Sequence, residues 1–265
     1  MKLSNSLAII TGASRGIGRA LAMELARSGC GLLLIALEND ELNDLMNELR
    51  VLPIDVAVMA ADLSNPESRK SVLNWICKHE PAPDILVNNV GMGGQFGRFE
   101  HVNLSDIERT IALNVSAFVH LTHELIPVLR KRPQAKIVNI SSGIARLPYP
   151  GLAIYGGTKA FVSSFSESLA CEISGTNIDV LCFYPGFTAT HFMESSKMDM
   201  RKIPGWMIHT PEYIASQIVK ALKKDYLSHY SDFITRLSPI IGALVPQRLK
   251  ISIFKNIFWE LPDGK

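Results

Sequence analysis

Apolar residues along the chain fall into short continuous runs, separated by stretches with helical spacing. LAIIT at 7–11 reads as a buried strand. GRALAMELARSG at 18–29 follows with a helical repeat and a closing glycine. GLLLIA at 31–36 reads as a second strand, and the polar ENDELNDLMNELR at 38–50 as a helix. VAVMAAD at 56–62 and DILVNN at 84–89 bracket NPESRKSVLNWICKH at 65–79, where Asn65 is placed to cap and Pro66 to fill the first turn. AKIVNIS at 135–141 and IDVLCFYP at 178–185 are later strands. They flank a helix carrying IYGGTKAF at 154–161.

Strands of continuous Leu, Ile and Val belong to a sheet buried on both faces. The prediction is therefore a doubly wound α/β fold with a parallel sheet and helices on each side. No repeat or internal boundary interrupts it. Residues 1–231 read as one unit, and 232–265 as an apolar extension of the same domain. Such sheets bind ligands at the carboxyl ends of their strands.

Composition narrows the function classes. With 47% apolar and 20% charged residues among 265, an ordinary core forms without metals or disulfides. A net charge of +2 gives no argument for a nucleic-acid partner. Cys30, Cys77, Cys171 and Cys182 lack ligand-like spacing and read as buried thiols of a reducing compartment; no metal is expected. The apolar run at the start is too short for a secretory signal, and no run reaches the roughly 18 apolar residues of a membrane span. The expected location is cytoplasmic, so the sequons at Asn103, Asn114 and Asn139 carry no glycosylation meaning.

The first strand runs into TGASRGIG, Thr11 to Gly18. Glycines permit positive φ and close backbone approach, and a helix start offers free N–H groups to a phosphate. Further motifs follow in order: ADL at 61–63, NNVG at 88–91, LNV around Asn114, ISS around Ser142, YGGTK from Tyr155 to Lys159, and YPGFTAT at 184–190. Together they resemble the short-chain dehydrogenase/reductase family over residues 5–190. Val90 replaces that family's usual alanine, and Thr188 a usual aliphatic residue.

The resemblance implies a Rossmann-type fold and a nicotinamide dinucleotide cofactor. It would be held by Gly12, Ser14, Arg15, Gly16, Ile17 and Gly18, by Leu37, by Asp62 and Leu63 near the adenine, and by Asn89 and Gly91. Tyr155, Lys159, Pro185, Gly186, Thr188 and Thr190 complete the set on the nicotinamide side. An acid at the end of the second strand would bind the ribose 2′-hydroxyl and repel a 2′-phosphate. Ala36 stands there, with Leu37 next, and Arg15 can reach a 2′-phosphate. NADP(H) is therefore the expected cofactor, with NAD(H) second. Glu38 reads first as a solvated residue at a helix start, although a small change of register would bring its carboxylate to the ribose.

The resemblance further implies that Tyr155 is the general acid in carbonyl reduction and the base in alcohol oxidation. A tyrosine near pKa 10 needs help at neutral pH. Lys159, one helical turn on, would lower that pKa; an ammonium about 4 Å away contributes at most ~4 kcal/mol at an effective dielectric of about 20. Lys159 would also hold the nicotinamide ribose, Ser142 would orient the substrate oxygen, and Asn114 would hold a water of a proton relay. A non-catalytic dinucleotide sensor is the competing reading; it expects a degraded Ser/Tyr/Lys set.

The substrate is less legible. Phe192, Met193, Met198, Met200, Trp206 and Met207 are either a mobile lid over a lipophilic carbonyl compound (3-oxoacyl, steroid-like or xenobiotic) or a cover for the core. Segments 92–100 and 145–150 are expected as other pocket walls, and His101, His123 and His191 as ordinary polar residues. DYLSHYSD at 225–232 is a candidate last strand without the family's Gly-Gly ending. A homodimer or tetramer is expected, the usual tetramer being put in question by that departure. The tail at 234–258 reads first as a packed helical extension, then as a dimer contact, and last as a membrane-surface helix. Gly156 and Gly157 are expected to admit a neighbouring element or a partner subunit close to their helix.

Overall fold

The protein's computed structural model describes residues 1–190, 203–224 and 226–257. Seven parallel strands form one sheet in the order β3-β2-β1-β4-β5-β6-β7. They are β1 (Leu7–Thr11), β2 (Gly31–Ala36), β3 (Val56–Ala60), β4 (Ile85–Asn88), β5 (Ala135–Ile140), β6 (Ile178–Tyr184) and β7 (Ser228–Tyr230). The order reverses between β1 and β4, which opens a crevice at their carboxyl ends.

The helices α1 (Gly16–Arg27), α2 (Asn39–Leu49), α3 (Pro66–Cys77), α4 (Leu104–Ile111), α5 (Phe118–Leu129) and α6 (Ala153–Glu172) follow in turn. After β6 come α7 (Pro211–Leu222), α8 (Phe233–Leu244) and α9 (Gln247–Ile257). One buried cluster joins α1, α2 and α7 to one face of the sheet through Leu21, Leu25, Leu34, Leu45, Val138 and Ile218. The other joins α3, α5 and α6 through Ile9, Leu33, Val72, Leu121, Ile137 and Leu169. Both faces of the central strands are thus covered, which is why they are apolar without alternation.

Local chemistry sets the boundaries. Asn65 Oδ1 accepts from the N–H groups of Glu67 and Ser68 at 2.8 and 3.2 Å, capping α3 behind Pro66. Gly29 ends α1 at φ +77°. α4 and α5 form one continuous helix through a π-helical stretch at Ala112–Ala117. Among the described residues, Leu104–Leu129 is the one helix whose length and mean hydropathy would suffice to cross a membrane. Here it packs against α3 and α6. β7 is three residues long, shorter than expected. The cysteines also divide otherwise than expected: Cys30 and Cys182 are buried, whereas Cys77 and Cys171 are exposed on helices.

The segment after β7 packs on the domain. Asp232 and Thr235 form a reciprocal capping box that starts α8. A Cβ at Gly242 would lie 2.7 Å from the Arg146 carbonyl oxygen, and one at Gly143 would lie 2.6 Å from Thr235 Cγ2. α8 therefore sits in near-backbone contact with the short helical turn Gly143–Arg146 that follows β5.

Candidate active site

The glycine turn lies in the crevice between β1 and β4. Gly12 and Gly16 adopt φ +67° and +54°, the left-handed region that favours glycine. Gly18 has a different reason: a Cβ there would lie 2.1 Å from the Gly12 carbonyl oxygen. Asn89 Nδ2 donates to the carbonyls of Thr11 and Gly12 at 2.9 and 3.1 Å. Thr11 Oγ1 accepts from the backbone N–H of Asn89 and Val90 at 3.0 and 3.1 Å. The turn is therefore shaped by the loop after β4, with Asn89 bracing it from behind.

The catalytic candidates converge at the end of β5. Ser142 follows that strand directly, its hydroxyl accepting from Ile144 N–H at 3.4 Å. Tyr155 and Lys159 are buried on the inner face of α6. Lys159 Nζ donates to the Ile140 carbonyl at 2.8 Å and stands 5.8 Å from the Tyr155 ring centroid. Asn114 occupies the π-helical stretch, a distortion frequent at functional sites. Its Oδ1 accepts from Met92 N–H, and its Nδ2 donates to Met92 O and Thr158 Oγ1, at 2.9, 2.9 and 3.1 Å. Both Nδ2 protons are committed, so Asn114 ties the loop after β4 to α6 one residue before Lys159. Gly91 sits in the same knot, where a Cβ would be 3.2 Å from Asn114 Oδ1 and 3.4 Å from Lys159 Nζ.

Among the protein's own groups, burial dominates the electrostatics here. Desolvation pushes the Tyr155 phenol up to about 12, with the Ser142 hydrogen bond pulling the other way. Desolvation brings the Lys159 ammonium down to about 8. The expected lowering of Tyr155 by Lys159 is thus absent from the balance of protein groups. Asp62 is different: partial desolvation raises it, but the Ser64 hydroxyl, the Ser64 N–H and Arg109 together bring it below the usual carboxylate range.

Gly12, Ser14, Arg15, Gly16, Ile17, Leu37, Asn89, Gly91, Ser142, Tyr155, Lys159, Pro185, Gly186, Thr188 and Thr190 all line one cleft of about 1330 Å³. Ala36 and Glu38 line it too, beside Leu37. Asp62, Leu63, Gly18 and Asn114 are not among its lining residues: Asp62 Oδ1 accepts from Ser64, and Leu63 is buried. Arg15 is paired with Glu41 at the start of α2, a partner the sequence reading did not assign. Phe96, Leu147, Tyr149, Phe187, Met207 and Ile241 give the same cleft apolar walls.

α8 supplies Phe233, Ile234, Thr235, Ser238 and Ile241 to that cleft, and α9 supplies Phe254. Sequence reasoning missed them, along with His209 and Asp232; the Asp-x-x-Thr cap of α8 was the available signal. His191, Phe192, Met193, Met198 and Met200 lie outside the described residues, whereas Trp206 and Met207 line the cleft. A Cβ at Gly156 or Gly157 would meet nothing within 4 Å, so among the described residues no element of this chain approaches them.

Comparison with known proteins agrees with this geometry. Residues 6–201 match the family model described as short chain dehydrogenase. The chain belongs to the short-chain dehydrogenase family. As such it is an oxidoreductase acting on CH–OH and C=O groups with a nicotinamide dinucleotide. Sulfoacetaldehyde reductase 2 of Chromohalobacter salexigens is 33% identical over 71% of this chain and 75% of its own. Very-long-chain 3-oxoacyl-CoA reductase-A of Danio rerio is 31% identical over 84% of this chain and 69% of its own. The short-chain dehydrogenase from Sphingobium yanoikuyae, solved in complex with NADPH, superposes with a TM-score of 0.82 at 30% identity, covering 90% of this chain and 93% of that one.

Proposed function

We propose that this short-chain dehydrogenase reduces a lipophilic ketone or aldehyde to its alcohol, with NADPH preferred over NADH. The observation that carries the reading is the Ser142–Tyr155–Lys159 group at the end of β5, facing a large cleft whose far walls are apolar. A 3-oxoacyl thioester is the substrate class that best joins a polarised ketone to a long apolar chain. The 3-oxoacyl-CoA reductase relatives support that choice.

The residues present fit a dinucleotide. The cradle at Gly12 and Gly16 has no Cβ to fill it, and N–H groups at the start of α1 face the cleft without an acidic residue in the first turn. Arg15 and the Ala36–Leu37 pair would take the 2′-phosphorylated ribose, and Pro185–Thr190 the nicotinamide side. When bound, the cofactor supplies the hydride.

The chain's own residues supply the rest. Ser142 Oγ donates to the substrate oxygen and fixes its direction. Tyr155 delivers the phenolic proton to that oxygen as charge develops there; burial keeps the phenol protonated at neutral pH. Lys159, anchored on Ile140, places its charge beneath the reacting pair. The apolar walls exclude water and seat the chain of the substrate.

Following NADPH oxidation against a panel of aldehydes, ketones, steroids and 3-oxoacyl thioesters tests this. Turnover should be greatest with a long-chain 3-oxoacyl thioester. Binding of NADPH without turnover of any carbonyl would favour the sensor reading instead.

A further inference from the structure

The loop that follows β6 is tied to the start of α8 through a chain of hydrogen bonds ending on one carboxylate. Gly186 N–H donates to Ser231 Oγ at 2.8 Å, and Ser231 Oγ donates to Asp232 Oδ2 at 2.8 Å. His209 Nε2 stands 3.1 Å from the same oxygen and donates to it in its Nε2-protonated form. Asp232 Oδ1 accepts from Thr235 N–H at 2.8 Å. Ser231 is buried, and its own carbonyl accepts from Tyr213 Oη at 3.0 Å.

His209 also grips the loop through its backbone. Its N–H donates to the Phe187 carbonyl at 2.8 Å, and its carbonyl accepts from Ala189 N–H at 2.9 Å. Residues 186–189 are thus held from two sides, and both holds meet at Asp232. An independent sign of this closeness is Gly186, whose φ is not left-handed. A Cβ there would lie 2.4 Å from Asp232 Oδ2, so glycine is required by the carboxylate beside it. Desolvation alone would raise Asp232, but the Thr235 N–H, the Ser231 hydroxyl and His209 together hold it ionised, below its usual range.

A helix cap needs only Oδ1. The second oxygen is spent on Ser231 and His209, both of which lead to the loop that borders the cleft beside Tyr155. We infer that Asp232 is a positioning residue for the nicotinamide half of the cofactor: through Ser231 and His209 it sets the backbone of Pro185–Ala189. The inference rests on the proposed cofactor site and deepens it. It predicts that the carboxylate matters to the nicotinamide end and not to the adenine end of the same ligand.

The test compares two probes by calorimetry on the full chain: NADPH, and 2′-phospho-ADP-ribose, which lacks the nicotinamide. Asp232→Asn keeps an oxygen for Thr235 but turns an amide NH2 toward Ser231 and His209. Ser231→Ala removes the acceptor of Gly186 directly. Each should weaken NADPH by about tenfold, as expected for losing a charge-assisted link. The truncated probe should bind as tightly as to the unaltered protein.

The double variant should be no weaker than the worse single one, because the two residues act in one chain. Equal weakening of both probes would mean a merely structural role and would overturn the inference, as would no change with either. If the unaltered protein bound NADPH no more tightly than the truncated probe, the cofactor site itself would be misassigned. The inference would then fall with it.

Discussion

Lys159 Nζ lies 5.8 Å from the centroid of the Tyr155 ring while donating to the Ile140 carbonyl, and both side chains are buried. Burial moves their pKa values in opposite directions, down to about 8 for the lysine and up to about 12 for the tyrosine. As pH rises through about 8 the folded protein releases the Lys159 proton while the unfolded chain keeps its own to about 10.5. Burying the Lys159 ammonium therefore costs stability below about 8, and that cost is relieved as pH rises from about 8 to about 10.5. Tyr155 acts in the opposite sense, losing stability from about 10 to about 12.

Reduction should follow the lysine. The kcat/KM of carbonyl reduction, measured from pH 6 to 10, should decline above about 8 as Lys159 loses its charge. Lys159→Arg, slower overall, should show no such limb because guanidinium stays charged throughout. A flat profile for the unaltered enzyme would contradict the assignment.

Arg15 and Glu41 predict cofactor choice. The ion pair holds the arginine against α2, and Glu41 Oε2 is buried without a hydrogen-bond partner among the described residues. Glu41→Gln should free the guanidinium for a 2′-phosphate and raise the ratio of NADPH to NADH kcat/KM by about two- to fivefold, the worth of a partly exposed pair. Arg15→Ala should lower the same ratio. Steady-state kinetics with both cofactors checks the two signs.

Gly157 is exposed in the middle of the first turns of α6, with open space where a Cβ would stand. Gly157→Ala should therefore stabilise the fold by roughly 0.8–1 kcal/mol through helix propensity. Gly18→Ala should do the reverse, because its Cβ would strike the Gly12 carbonyl. Chemical denaturation of the two variants gives the comparison; a loss of stability in Gly157→Ala would point to a close partner outside this chain.

Ile241 tests the contribution of α8 to the pocket. Ile241→Trp fills the apolar end of the cleft and leaves the Tyr155 end alone. It should cut kcat/KM for a long-chain 3-oxoacyl substrate by roughly tenfold or more, yet change a short aldehyde little, since added bulk in a filled pocket costs about 1–3 kcal/mol. Equal losses with both substrates would remove α8 from the substrate site.

The sequence made the sheet legible because strands buried on both faces cannot hide their composition. Asn65, Pro66 and Gly29 act at short range, so their roles were equally visible. The Gly12–Gly18 turn and the Tyr155–Lys159 pair could be read because their chemistry depends on fixed local spacing. Glu41, His209 and Asp232 could not: each meets its partner only after distant segments converge. At Gly156 and Gly157 small size alone does not reveal which neighbour, if any, is present, and the described elements of this chain supply none. The pKa balance was also out of reach, because depth of burial outweighs the neighbouring charge and only the fold sets that depth.

The most direct measurement is single-turnover reduction by Tyr155→Phe, with NADPH binding followed in parallel on the best carbonyl of the panel. The account predicts NADPH affinity within about twofold of the unaltered enzyme and a loss of at least ~10²-fold in kcat, the usual worth of a general acid. Near-normal turnover by Tyr155→Phe would contradict it.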